Sequence, residues 1–159
     1  MTGNERMDTV LSGLLLAGFL IPAVRSDWSR RIIPNGLVLG LFSAKTILLL
    51  WKTIRTQSFD GSGWKPSAGG LLLAGGIGLL CLLFSRDGLG MGDVKLMLAL
   101  GWYLETTALL RGLLFAALAA VPAAIWLVAV KKADKDTAIP FAPFLAFGAV
   151  LSIFRPLLP

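Results

Sequence analysis

Two aspartates stand apart in this chain, and together they could run a hydrolysis. Asp27 sits in DWSRRIIPN, just after an apolar stretch, and Asp93 sits in GMGDVK, just before another. The chain has no histidine, so the commonest neutral-pH base and metal ligand is missing. Chemistry falls to carboxylates, lysines, hydroxyls or the lone Cys81. One cysteine makes neither an intrachain disulfide nor a zinc site. If Asp27 and Asp93 meet, both cannot ionise cheaply. One proton is then shared, and the pair can hold and activate a water. The ionised member takes a proton from water as it attacks a carbonyl, and the protonated member donates to the carbonyl oxygen.

The neighbours of each aspartate suit that task but also admit a plainer one. Gly90 and Gly92 flank Met91 directly before Asp93. Glycine allows close backbone approach, so a substrate strand can lie against this segment. The plainer reading makes Asp93 the N-cap of a helix and the glycines a turn. Lys95 either favours the ionised form of a nearby carboxylate or snorkels to the membrane edge. Arg30 and Arg31 read as topogenic charges, with anionic lipid or an acidic substrate group as the alternative. Ile33-Pro34-Asn35 reads as a helix start, with proline fixing φ and asparagine capping. Lys45 is expected to snorkel outward. Glu5, Asp8, Asp60, Glu105, Asp134 and Asp136 read as solvated charge.

Composition says what must carry these residues. Hydrophobic residues make up 56% of the 159, and charged residues only 15%, with mean hydropathy +0.79. Soluble domains carry about 25% charged residues. The expected fold is all-α: a polytopic membrane helical bundle of about six spans in a single domain, residues 1–159. The spans are placed at 9–24, 36–51, 68–84, 94–104, 106–130 and 141–154, with a tight turn near Glu105. A crossing takes roughly 20 apolar residues, so the short fourth span needs support from surrounding protein.

The first, third and fifth connections share one side and hold eight basic residues, against six on the other side. That weakly favours the first set as cytoplasmic, with Asp27 and Asp93 on that side and both termini outside. The net charge of +6 needs no nucleic acid, because no basic run with interleaved aromatics occurs. Trp28, Trp51, Trp64, Trp102 and Tyr103 fall at expected membrane edges. Gly70, Ala74 and Gly78, and likewise Ala116, Ala120 and Ala124, make small-residue faces for close helix packing. Pro122 is expected to kink the fifth span. The first span lacks a signal-peptide cleavage site, so it is read as retained.

Taken in order, Asp27 with Ile33-Pro34-Asn35, Gly90-Met91-Gly92-Asp93-Val94-Lys95, and IPFAPFLAFG from Ile139 to Gly148 resemble the type IV prepilin peptidase family. These are membrane aspartyl proteases of the Gly-x-Gly-Asp kind. The resemblance covers nearly the whole chain. It implies catalytic roles for Asp27 and Asp93, and a supporting motif that includes Pro140, Phe141 and Pro143. It also implies removal of a short basic leader from prepilin or pilin-like subunits at the cytoplasmic face of a prokaryotic inner membrane. No metal or other cofactor is expected. Asp87 is a candidate for contacting the basic leader. Larger members carry an N-terminal region with paired cysteines linked to N-methylation. The chain here reads as the short form, with protease activity alone. Membrane lipids are the other expected partner, and no signal of oligomeric state is visible. A small proton-coupled transporter using the same carboxylates is the rival reading.

Overall fold

A computed structural model describes residues 3–57, 61, 63–84, 90–131 and 141–154. Within them every regular element is a helix: α1 (Gly3–Arg30), α2 (Asn35–Thr56), α3 (Trp64–Phe84), α4 (Met91–Lys131) and α5 (Ala142–Phe154). The first four are long and apolar enough to cross a membrane, and α5 is a shorter apolar helix. Large apolar side chains face outward along them, including Leu39, Ile47, Leu72 and Leu118. A water-soluble domain does not tolerate so much exposed apolar surface, whereas lipid tails solvate it. The protein is an all-α, multi-pass membrane bundle.

The long α4 is one helix only in name. Glu105 leaves the helical region at φ 68, ψ 170. Contacts on either side show that the chain reverses there. Residues 91–104 run antiparallel to α3, because the backbone of Gly101 lies against Gly70 while Val94 and Met97 lie against Gly78. Residues 106–131 run antiparallel to α5. Ser152 Oγ donates to the carbonyl of Ala108 (2.7 Å), and Gly148 lies against Gly112 and Ala116. Among the described residues α4 thus divides at Glu105 into two segments, one packed antiparallel to α3 and the other to α5. Pro122 stays within helical backbone.

Small residues set these packings. A methyl added to Gly70 would meet the carbonyl of Gly101, and one added to Gly148 would meet that of Gly112. Without side chains in the way, two backbones approach closely and gain dispersion contact, the main attraction left when the solvent is itself apolar. Larger residues fill the remaining centre: Leu16 and Leu20 from α1, Leu41 from α2, Leu96 and Leu100 from α4. Trp102 stacks on Phe42 (centroids 5.0 Å apart) and donates through Nε1 to Thr46 Oγ1 (3.2 Å), which joins α4 to α2.

Two residues expected at membrane edges find partners inside the bundle. Tyr103 is buried, and its hydroxyl donates to the carbonyl of Ser12 (2.7 Å), because a tyrosine inside a bundle needs a partner for its O–H. Lys45 does not snorkel outward. Its Nζ donates to Glu105 Oε1 at 3.0 Å and lies 5.9 Å from the Tyr103 ring centroid. Glu105 is thus paired rather than simply solvated. A non-glycine residue at such dihedrals costs about 1–3 kcal/mol, and the ion pair is among the contacts that hold it there.

Candidate active site

The end of α1 is built to present Asp27. Arg31 adopts φ 52 and its N–H bonds to the carbonyl of Asp27 (2.9 Å), which closes the helix with a left-handed cap. Ser26 Oγ donates to the carbonyl of Ile32 (2.7 Å), folding the following loop back on α1. Pro34 then occupies the N-cap position of α2 in extended backbone. Asn35 does not cap that helix, because no side-chain cap bond forms and its Oδ1 instead accepts from Lys95 Nζ (3.2 Å). Proline alone starts α2 by fixing φ, and the asparagine side chain is left to bridge to α4.

Asp93 enters from the other direction. Gly90 is the residue before α4, and its carbonyl accepts the N–H groups of Asp93 (3.0 Å) and Val94 (3.3 Å). Asp93 therefore sits in the first turn, past the cap position, which rules out the reading of it as an N-cap. Its Oδ1 is buried and has no hydrogen-bond partner among the described residues. Gly92 lies against Ile33, where an added methyl would come within 3.4 Å of Ile33 Cβ. The lack of a side chain at Gly92 lets the α4 start and the loop after α1 approach this closely.

The two segments enclose a cavity of about 400 Å³. Asp27 and Asp93 both line it, together with Arg31, the Ile33-Pro34-Asn35 run, Gly90-Met91-Gly92 and Lys95. Asp27 is buried, at 6% exposure, and its Oδ2 accepts the backbone N–H of Ala142 (3.3 Å). Ala142 is the first residue of α5, so Asp27 takes up one of that helix's otherwise unpaired donors from another helix. A carboxylate there also meets the positive end of the α5 dipole. The third sequence stretch thus meets Asp27 through a main-chain group. Phe141 begins the α5 turn, its carbonyl accepting from Phe144 (3.1 Å) and Leu145 (3.2 Å). Pro143 and Arg30 line a separate apolar groove between α1 and α5 instead. Pro140 and Asp87 lie outside the described residues.

This arrangement has the parts of a carboxylate pair. One member carries a main-chain donor, and the other has a buried oxygen without a hydrogen-bond partner among the described residues. Among the described residues, no three His, Cys, Asp or Glu side chains gather as a metal ion would require.

Residues 14–128 match the profile of the type IV leader peptidase family. That range takes in Asp27, residues 33–35 and the whole of 90–95, but stops short of α5. The chain is 35% identical over 150 residues to a prepilin leader peptidase/N-methyltransferase of Burkholderia pseudomallei strain K96243, covering 90% of this chain and 47% of that protein. A protein of the same name from Stutzerimonas stutzeri is 30% identical over 88% of this chain and 48% of its own length. One from Legionella pneumophila is 29% identical over 91% and 50%. The chain spans about half the length of the curated relatives it matches. No solved structure gives a match.

Proposed function

We propose that this chain, which belongs to the type IV leader peptidase family, is a membrane-embedded aspartyl endopeptidase that cuts the leader from prepilin or pilin-like subunits. The observation that carries the reading is the cavity into which Asp27 and Asp93 converge from opposite ends of a 66-residue separation. Asp27, with the Ala142 N–H and the α5 terminus beside it, is the ionised member. Asp93 is the protonated member. Water held between them loses a proton to Asp27 as its oxygen bonds to the peptide carbonyl carbon, and Asp93 gives its proton to the carbonyl oxygen. When the C–N bond breaks, the nitrogen takes the proton held by Asp27, and a hydroxyl proton returns to Asp93. Atoms and charges balance with water as the only co-reactant.

The basic residues clustered on the connections at the Asp27 and Asp93 end support a cytoplasmic site in the inner membrane. A substrate peptide would meet Gly90-Met91-Gly92, whose two glycines leave backbone accessible, with Lys95 and Arg31 also lining the cavity. The experiment is leader removal from a co-expressed pilin in membranes. Asp93→Asn should leave the enzyme inserted and the pilin uncut. Normal cutting by both Asp93→Asn and Asp27→Asn would remove the mechanism.

A further inference from the structure

At the end of the bundle opposite the aspartates there is a second cavity, of about 470 Å³, that the proteolytic chemistry does not use. Asp8 on its wall lies nineteen residues before Asp27 on α1, about 28 Å along the axis at 1.5 Å per residue. That is close to the thickness of a bilayer's hydrocarbon core, about 30 Å. The cavity therefore opens where lipid head groups lie on the far face.

Its charge is unbalanced. Lys45, Lys52, Arg55 and Arg111 line it, against Asp8 and Glu105. Glu105 is already committed to Lys45 at 3.0 Å. Arg111 Nε is buried and has no hydrogen-bond partner among the described residues. A guanidinium has five N–H donors in a fixed fork suited to carboxylate or phosphate, and a buried N–H without an acceptor is costly. Leu11, Leu48 and Leu49 form an apolar wall to the same cavity. A ligand that satisfies both walls has an anionic head and a hydrocarbon part.

We propose that this cavity binds one anionic phospholipid, its phosphate held by Arg111 and Arg55 and its acyl chains lying against the leucine wall. The site is independent of the peptidase reading, since it shares no residue with the aspartate cavity.

The test uses the full chain purified in an uncharged detergent, followed by thermal melting and by native mass spectrometry. Phosphatidylglycerol should raise the melting temperature and remain bound, while phosphatidylcholine and inorganic phosphate should do neither. Arg111→Gln should weaken phosphatidylglycerol binding about tenfold or more, the effect of losing a charge-assisted hydrogen bond. If that variant accumulates poorly, Arg55→Gln reads the same loss. Arg25→Gln, a basic change at the aspartate end, should bind as the parent does. Equal stabilisation by phosphatidylcholine, or by inorganic phosphate alone, would overturn the proposal. So would parental affinity in the Arg111 and Arg55 variants, or an equal loss in the Arg25 variant.

Discussion

Asp27 does two jobs that substitution can separate: it is one half of the proposed acid pair, and it accepts the Ala142 N–H at 3.3 Å. Asparagine keeps a carbonyl oxygen where that N–H can reach it but cannot take a proton from water. Leucine removes both. For Asp27→Asn, exchanging a charge-assisted bond for a neutral one costs about 1 kcal/mol, and no longer burying a charge works in the opposite direction. Its thermal stability should stay near that of the parent. Asp27→Leu leaves a buried backbone donor without a partner, which costs about 1–3 kcal/mol. Both should lose general-base catalysis, worth about 10²–10⁴-fold, together with the pair's hold on water. The assay is leader removal from purified pilin in detergent, scored by gel mobility, beside melting curves on the same samples. The expected pattern is two inactive proteins, with only the leucine variant clearly destabilised. An asparagine variant that cuts within about tenfold of the parent would refute the catalytic role. A leucine variant as stable as the asparagine one would refute the α5 contact.

Other consequences follow from packing and pairing. Gly148→Leu should prevent the bundle from assembling, because even a methyl there meets the Gly112 carbonyl; overpacking costs about 1–3 kcal/mol and more against backbone, read as lost accumulation in membranes. The same change at Gly36, where nothing lies within 4 Å of an added methyl, should be tolerated. Lys45→Gln should lower stability by about 1 kcal/mol, a modest figure because Glu105 is 38% exposed and solvent screens the pair. Lys45→Gln with Glu105→Gln should cost less than the two singles added, as a double-mutant cycle on melting would show.

Much of this architecture was legible in the chain because membrane spans write themselves in long apolar runs. Counting crossings put Asp27 and Asp93 at the same end, and both line one cavity. The glycine and alanine spacing of α3 likewise announced a close-packed face, which Gly70 and Gly101 realise. What escaped the sequence is what depends on long-range partners. The donor to Asp27 is a main-chain N–H, and a backbone group has no residue type to betray it. Asn35 looked like a cap, since local bonding is the default for asparagine, yet Lys95, sixty residues away, claims its oxygen. Lys45 looked like a snorkelling lysine because the carboxylate it meets stands sixty residues on, at the expected turn, and nothing local pairs the two. Tyr103 carried the ordinary signature of an interfacial aromatic, and only the fold reveals the Ser12 carbonyl that lets it be buried.

The central claim is that the carboxylates of Asp27 and Asp93 face one shared space, and proximity measures it most directly. In a chain whose Cys81 is changed to serine, Asp27→Cys and Asp93→Cys together should be bridged in intact membranes by a short thiol cross-linker, shown by protected mass after proteolysis. Asp27→Cys paired with Ser12→Cys, far apart along α1, should not be bridged under the same conditions. Failure of the 27–93 pair to cross-link, with each thiol labelled singly at full yield, would contradict the shared cavity and the acid pair built on it.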